Sequence, residues 1–322
     1  MTDRSRVIDA AATVAEFGFP SDLPMSLAAL GPQGIVLEFV SGSWPDGRAV
    51  ARDDLFYGAS LAKQVTGAAI AMLVRRGQID PDAPVGQFLV DLPAWASRVT
   101  VRQLLGHTSG LPPASEFEAS PPCWTDGYVI NVLKALASAS SPPGTAFAYS
   151  NAGYVCLARI VETVTGLAFG TFVEQSLLRP LQIESMRFLP EMTVAKQSHA
   201  ALMGPILPLS TGDGGLWTTA AAYGRWLDHQ NRDTLGIAPL VTQPGGLPDG
   251  RATDYGWGIG IRAFRNHPIF IHGGGWTGAF AKAVRCPDLG LSVVGFAADV
   301  SADRVVALVD ALFAQLADIR TS

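Results

Sequence analysis

Apolar and polar positions along the chain predict both helices and strands, with the strands gathered towards its two ends. Between Val65 and Leu73, apolar residues recur at i, i+4, i+7 and i+8, which is the spacing of one helix face. Gly77 follows as a C-terminal stop signal. Segments rich in β-branched, aromatic and small apolar residues predict strands at 34–42, 254–264, 267–274, 278–287 and 290–300.

Two further helices are predicted at the chain ends. One runs through Val7 and Ala15, and the other begins at about Ser301, with an apolar stripe from Val305 to Leu316. The stretch between the two groups of strands is predicted to be mostly helical, with proline-rich loops. This order predicts an α+β fold, in which helices cover an antiparallel sheet built from both chain ends.

The predicted fold has two lobes. Residues 1–80 and 204–322 are expected to form the sheet lobe, and residues 81–203 an inserted, mostly helical lobe. Ligand sites favour the crevice between two such units, so we expect the functional site there.

Composition narrows the function classes. The chain has 322 residues, 48% of them hydrophobic, and no apolar run long enough to cross a bilayer. Its 23 Lys and Arg against 28 Asp and Glu argue against nucleic-acid binding, because no basic cluster is available for phosphates. The N-terminal residues lack the continuous apolar core of a signal peptide, so we expect a cytoplasmic protein.

The cysteines indicate neither a metal site nor a disulfide framework. Cys123, Cys156 and Cys286 are scattered and odd in number, without zinc-site spacing. We expect buried free thiols, and the sequence implies no metal, nucleotide or organic cofactor.

Ser60 and Lys63 form an S-x-x-K sequence at the start of the predicted helix. Residues i and i+3 share a helix face, so the Ser60 hydroxyl and the Lys63 amine are expected within hydrogen-bonding reach. A serine needs such a partner to act as a nucleophile at neutral pH. The Ser60 amide would also be an unpaired N-terminal donor that suits an oxyanion. Taken alone, the tetrapeptide is more often only a helix cap.

A second polar group lies in a Pro/Gly-rich loop before another predicted helix. Tyr149, Ser150 and Asn151 precede an apolar stripe from Tyr154 to Val164. A tyrosine between two lobes can shuttle a proton when a nearby ammonium stabilises its phenolate. The alternative is a packed Tyr149 with Asn151 as the helix cap.

The segment HGGGWTG, from His272 to Gly278, fits three kinds of site. A dinucleotide loop uses the same glycine spacing, but it must open a helix, and residues 278–287 predict a strand. A lipase oxyanion loop lies upstream of a G-x-S-x-G nucleophile, which this chain lacks. The third interpretation is one wall of another type of hydrolase site.

In their order along the chain, S-x-x-K, Y-S-N and the glycine-rich strand resemble the motifs of the serine β-lactamase and penicillin-binding protein superfamily. The chain looks most similar to class C β-lactamases and their esterase and D-peptidase relatives. The segments that carry the resemblance are FYGASLAKQVTGAAIAMLVRRGQIDPDAPV, VTVRQLLGHTSGLP, PPGTAFAYSNAGYVCLARIVE, GDGGLWTTAAAYGRW and HGGGWTGAF.

The resemblance implies a role for each matching residue. Ser60 is the acylated nucleophile, and Lys63 and Tyr149 form the proton-relay pair. Asn151 orients Lys63 and the substrate. The amides of Ser60 and Gly275 form the oxyanion hole.

The third motif departs from the family pattern. The β-lactamases and peptidases of this family resemble one another in having a lysine, which holds a substrate carboxylate, at the position of His272. They have a threonine at the position of Gly273. A neutral imidazole without a neighbouring hydroxyl is a poorer carboxylate clamp. The resemblance still implies that His272 helps to orient the substrate.

We therefore expect a serine hydrolase that acts on a small-molecule ester or amide, foremost an esterase. The open alternatives are a transacylase with an alcohol or amine acceptor, a β-lactamase or D-amino-acid peptidase, and a sensor whose acyl-enzyme stalls. Trp217 and Trp276 are candidates for lining the acyl pocket, and burial in the core is equally open. His107, in HTSGLP, is interpreted as part of a structural turn.

Overall fold

The strands that the structure describes form two antiparallel sheets. The computed structural model describes residues 9–112, 124–189, 191–194, 197–298 and 301–321. The strands found there are β1 Met25–Gly31, β2 Gly34–Ser41, β3 Phe56–Tyr57, β4 Met186–Phe188, β5 Leu216–Thr218, β6 Gly260–Phe264, β7 His267–Trp276, β8 Ala279–Cys286 and β9 Leu291–Ala297.

The larger sheet has six strands in the order β2-β1-β9-β8-β7-β6, and every neighbouring pair is antiparallel. A tight turn joins β8 to β9, in which the Gly290 amide donates to the Pro287 carbonyl oxygen at 3.0 Å. Gly290 has a φ of +57°, which a glycine adopts readily. Both chain ends thus contribute to one sheet, and the predicted α+β fold is confirmed.

Helices cover both faces of this sheet. The helices among the described residues are α1 Ala10–Glu16, α2 Ala62–Arg75, α3 Val101–Leu105, α4 Asp126–Ala135, α5 Asn151–Thr165, α6 Phe169–Val173, α7 Glu191–Val194, α8 Ala220–Asn231, α9 Ala238–Val241 and α10 Ala302–Thr321. Helix α10 packs on β8 and β9, while α8 packs on β1 and β9 from the other face. Helix α2 packs against α5 and α9, and the α2 residues from Ala62 to Ala71 are all buried. Protein therefore surrounds α2 on all sides along this stretch, and burial extends beyond its apolar stripe.

Three details differ from the predicted strands. Strand β1 was not predicted, because all seven of its residues are buried and the sequence shows no alternation. Residues 254–259 do not continue β6. Gly258 turns the chain there with a φ of +85°, and a Cβ on it would lie 2.1 Å from the Lys63 carbonyl oxygen. The small sheet, in the order β3-β5-β4, was also not predicted.

The segment 81–203 contains helices α3 to α7 and strand β4 where the structure describes it. Since β4 pairs with β5, this strand joins the segment to the part of the chain that follows it. The division into lobes at residues 80 and 204 stays a prediction.

No single helix among the described residues is long and apolar enough to cross a membrane; the bent pair Asn151–Thr165 and Phe169–Leu178 qualifies by length and composition only. No group of three His, Cys, Asp or Glu side chains there is placed to hold a metal ion. Cys156 and Cys286 are buried free thiols, and Cys123 lies outside the described ranges.

Candidate active site

Ser60 lies on a short 3₁₀ turn, Ala59–Leu61, that leads directly into α2. The preceding residue, Ala59, has a φ of +44°, a conformation that costs a non-glycine residue about 1–3 kcal/mol. The turn is held on one side, because the Gly58 amide donates to the carbonyl oxygen of Leu216 in β5 at 2.8 Å. This arrangement presents the half-buried Ser60 at the N-terminus of a rigid, buried helix.

Lys63 is fully buried and makes three hydrogen bonds through Nζ. Ser60 Oγ lies 2.9 Å away, Asn151 Oδ1 2.8 Å away and the carbonyl oxygen of Asp213 2.8 Å away. The Asn151 and Asp213 oxygens can only accept hydrogen bonds, so each accepts one N–H of Lys63 whether the amine is neutral or charged. The remaining position of Nζ faces Ser60 Oγ, where it donates as an ammonium and accepts as a neutral amine. The geometry therefore lets a proton pass between Ser60 and Lys63 without movement of either side chain.

The carbonyl group that Lys63 contacts is held by its own neighbours. Thr66 Oγ1, one turn along α2, donates to the Gly212 carbonyl oxygen at 2.8 Å. The carboxylate of Asp213 is buried and accepts from Ser210 Oγ at 2.7 Å. Burial raises the pKa of Asp213, and the nearby Lys63 charge acts in the opposite direction. These contacts orient the Asp213 carbonyl oxygen towards Lys63.

Asn151 and Tyr149 come from the start of α5. Ser150 is the N-cap residue, and its hydroxyl donates to the Pro112 carbonyl oxygen at 2.9 Å. The ring of Tyr149 lies with its centroid 4.9 Å from Lys63 Nζ. Tyr149 is 36% exposed, and its hydroxyl makes no hydrogen bond to the residues that the structure describes. The phenol oxygen is therefore open towards a ligand while the ring is held beside the amine.

His107 was missed as a site residue by the sequence interpretation, which assigned it to a structural turn. The turn is real, with a φ of +56° at His107, but the ring packs against Tyr149 with centroids 4.2 Å apart. Its Nδ1 accepts the Ser150 amide hydrogen at 3.1 Å. Burial, and after it the charge of Lys63, holds the pKa of His107 well below its usual range, so the ring is neutral. Only its position in HTSGLP, one of the resembling segments, pointed to the site.

His272 is buried, and both of its ring nitrogens have protein partners. Nδ1 donates to the Gly273 carbonyl oxygen at 2.6 Å, and Nε2 accepts the Tyr255 hydroxyl at 2.9 Å. Burial and then the Lys63 charge lower the pKa of His272 to about 3. The ring is therefore neutral at pH 7 and has no free nitrogen for a substrate carboxylate. In the structure the ring joins β7 to Tyr255, and the substrate-orienting role of His272 stays a prediction.

Strand β7 passes directly over the turn that carries Ser60. A Cβ on Gly274 would lie 2.5 Å from the Gly58 carbonyl oxygen, so only glycine permits this approach. Strand β6 pairs with β7 only as far as Ile271, which leaves the edge of β7 from His272 onwards without a strand beside it in the described residues. Gly275 pairs with Phe280 in β8, one position before the hairpin turn. Antiparallel pairs alternate between hydrogen-bonded and non-hydrogen-bonded, and the pair that closes this two-residue turn, Trp276 with Ala279, is of the hydrogen-bonded kind. The Gly275 amide in the next pair therefore points away from β8 to the open edge, as an oxyanion hole requires.

The two tryptophans differ in position. Trp217 in β5 has no exposed surface and packs against Tyr57 and His199, so the suggestion that it lines a pocket is wrong. The rings of Tyr57 and His199 that pack on it help to exclude solvent from the indole. Trp276 is half-buried, and its Nε1 donates to the Ile206 carbonyl oxygen at 3.1 Å. Its role in a pocket stays a prediction.

His199 is a second buried histidine that the sequence did not single out for the site. Nδ1 accepts the Tyr57 amide hydrogen at 3.1 Å, and Nε2 donates to the Gly278 carbonyl oxygen at 3.0 Å. Burial lowers its pKa to about 4. His199 thus joins β3, which leads to Ser60, to the β7–β8 turn that follows Gly275.

A cavity of about 550 Å³ opens beside this group. The lining residues are Phe147, Tyr149, Leu247, Arg251, Ala252, Thr253, Asp254, Tyr255, Gly260, Arg262, Ile271, His272 and Gly273. A larger surface depression, of about 690 Å³, lies around Glu174 and Arg187 and includes none of the motif residues. The cavity at Tyr149 is lined by Tyr149 and His272, and it adjoins the S-x-x-K site because the Tyr149 ring lies beside Lys63.

Comparison with known proteins agrees with this geometry. A sequence profile of the family described as Beta-lactamase matches residues 27–314. The chain is similar to penicillin-binding protein 4 of Amycolatopsis lactamdurans, with 29% identity over 239 residues, 71% of this chain and 62% of the relative. It spans about three fifths of the length of the first curated relatives that it matches.

Solved structures share the fold at lower identity. The octameric penicillin-binding protein homologue from Pyrococcus abyssi superimposes with a TM-score of 0.78 at 21% identity, over 96% of this chain and 76% of that one. The D-amino acid amidase from Ochrobactrum anthropi SV3 superimposes with a TM-score of 0.78 at 19% identity, over 97% and 99%. The profile match covers most of the sequence, and the chain belongs to the beta-lactamase family.

Proposed function

We propose that the protein is a serine hydrolase that forms an acyl-enzyme at Ser60 and acts on small neutral esters. The observation that carries this proposal is the environment of Lys63 Nζ, whose two acceptor-only partners direct its third position to Ser60 Oγ at 2.9 Å. A serine hydroxyl becomes an effective nucleophile when a neighbouring base takes its proton. The family membership supports the same chemistry.

In the acylation step, Ser60 Oγ forms a bond to the ester carbonyl carbon while its proton passes to the Lys63 and Tyr149 pair. The amides of Ser60 and Gly275 stabilise the negative charge on the carbonyl oxygen. The bond to the leaving oxygen then breaks, and that oxygen receives the proton from the pair. An alcohol departs, and the acyl group stays on Ser60.

In the deacylation step, water takes the place of the alcohol. The pair accepts a proton from the water as its oxygen attacks the acyl carbon, and the proton returns to Ser60 Oγ as the ester bond to the enzyme breaks. Asn151 Oδ1 keeps the Lys63 amine in place throughout. This step yields the carboxylic acid and the free enzyme, and the proposed reaction uses no cofactor.

The charge of the site favours a neutral ester over a β-lactam or a D-amino-acid peptide. His272 is neutral and its nitrogens are occupied, and Gly273 offers no hydroxyl, so the third motif has no cationic clamp for a carboxylate. Several relatives are penicillin-binding proteins, so a β-lactam remains the appropriate comparison substrate.

The proposal is tested by intact-protein mass spectrometry during incubation with p-nitrophenyl acetate, beside the Ser60→Ala variant. We expect a transient acetyl mass on the native protein alone, together with nitrophenol release. A persistent acetyl mass without turnover would favour a stalled sensor, or a transacylase that needs an alcohol or amine acceptor. Turnover that survives in Ser60→Ala, or a β-lactam hydrolysed faster than the ester, would contradict the proposal.

A further inference from the structure

The cavity beside Tyr149 lies on one side of the reacting carbonyl. Gly273 lines the cavity, whereas Gly275, whose amide would bind the carbonyl oxygen, lies two residues further along β7 and does not. Tyr149 stands at the wall of the cavity. The group that returns a proton to the leaving oxygen must contact that oxygen. In the proposed relay Tyr149 carries that proton, so the alcohol part of an ester would extend from Tyr149 into this cavity.

The wall next to Tyr149 is aromatic and open to solvent. Phe147 is 44% exposed, and its ring packs edge-on against His107 and tilted against Tyr255, with centroids 5.8 Å apart in both pairs. Six large hydrophobic side chains are exposed among the described residues, and two of them, Phe147 and Tyr149, line this one cavity. Leu247 and Ile271 add aliphatic surface. An exposed apolar surface inside a concave site indicates an apolar ligand.

Each arginine that lines the cavity has a carboxylate beside it. Arg251 pairs with Asp249 at 2.6 Å, and Arg262 lies 3.4 Å from Asp254. Both pairs are largely exposed, so each is weak, and together they leave no surplus positive charge. The neutral His272 adds none. The rim is therefore not built to select an anion.

We infer that this cavity is the leaving-group subsite and that it selects esters of neutral aromatic alcohols. The inference rests on the proposed function, because it assigns the cavity to the alcohol part of the ester that acylates Ser60. An aromatic ring fills the space beside Phe147 and Tyr255, whereas the two carbons of an ethyl group leave most of that surface in water. The recognised chemistry is an arylmethyl or similar neutral aromatic alcohol.

The test compares benzyl acetate with ethyl acetate, followed through acetic acid release. Both leaving groups are primary alcohols of similar acidity, and both esters give the same acetyl-enzyme. A difference in kcat/KM therefore reports the leaving-group side alone. We expect benzyl acetate to be favoured by about tenfold or more. Phe147→Ala should lower that preference by about fivefold. Phe147→Leu, which keeps apolar surface and guards against a folding defect, should retain part of it.

The matched control is Val90→Ala, since Val90 is 79% exposed and lies outside the cavity. It should leave the preference unchanged. Equal kcat/KM for the two esters, or a preference that survives Phe147→Ala, would overturn the inference. So would a faster reaction of 4-carboxybenzyl acetate that is lost in Arg262→Gln, because the rim would then select an anion. If no ester acylates Ser60, the proposed function itself is wrong, which mass spectrometry distinguishes from acylation without leaving-group preference.

Discussion

The ring of His107 packs against the ring of Tyr149 with centroids 4.2 Å apart, and its Nδ1 accepts the amide hydrogen of the next residue, Ser150, at 3.1 Å. One side chain thus holds both the ring and the backbone of the segment that supplies Tyr149 and Asn151. His107 is neutral and buried, so it does not exchange protons with a substrate. We regard it as a positioning residue.

Replacing His107 should lower kcat more than it raises KM. His107→Ala removes the ring contact and leaves the buried Ser150 amide without an acceptor, which costs about 1–3 kcal/mol of unfolding free energy. We expect kcat to fall about tenfold as Tyr149 loses its orientation. His107→Asn tolerates the positive φ and can accept from Ser150, so it should recover stability but not kcat. Full recovery of kcat in His107→Asn, measured by steady-state kinetics, would show that the ring contact is unimportant.

Tyr149→Phe should separate activity from stability. The hydroxyl has no hydrogen-bond partner among the residues described, so its removal should leave the melting temperature unchanged. The loss of a proton carrier should lower kcat/KM for benzyl acetate by about 10²–10⁴-fold. Tyr128→Phe is the matched control, because the buried Tyr128 hydroxyl also lacks a partner in the described structure. Normal turnover by Tyr149→Phe would remove Tyr149 from the proton relay.

Gly274→Ala should reduce activity through the backbone. Its Cβ would approach the Gly58 carbonyl oxygen to 2.5 Å and would force β7 away from the turn that carries Ser60. An ångström-scale displacement of reacting groups costs about 10²-fold in rate, so we expect a loss of that size in kcat/KM. Gly127→Ala in α4 is the control, since the nearest atom to its Cβ is 3.9 Å away and Gly127 lies outside the cavity lining. Equal activities of the two variants would contradict the close approach.

His199 makes the stability of the protein depend on pH. Its folded pKa is about 4, below the ordinary value of 6.5, so the unfolded chain binds a proton that the folded chain excludes as pH falls below about 6.5. The contribution of the neutral ring to the free energy of unfolding is complete above that pH. It falls by roughly 1 kcal/mol per pH unit as the pH is lowered towards 4. The difference in unfolding free energy between native protein and His199→Asn should therefore shrink between pH 7 and 5. Urea titrations measure it, with the half-buried His229→Asn as control; a constant difference would contradict the prediction.

Most of the large sheet was predictable from local patterns. Strands β7, β8 and β9 combine β-branched and aromatic residues with a Pro-Asp-Leu-Gly turn, and the helix stop at Gly77 is a backbone signal that needs no partner. Strand β1 escaped prediction because it is buried along its whole length, and a continuous small apolar run does not distinguish a strand from a buried helix. Trp217 was ambiguous for a similar reason, since an aromatic residue suits a core and a pocket equally well.

The sequence by itself determined the order of the motifs and the pairing of Ser60 with Lys63, because three residues along a helix are neighbours wherever that helix lies. Contacts between distant segments were decided only by the tertiary structure. Packing brings the Asp213 carbonyl oxygen to Lys63, His107 to Tyr149 and Tyr255 to His272. Burial among these groups makes His272 neutral, which no local pattern contains, because desolvation depends on everything that surrounds the ring.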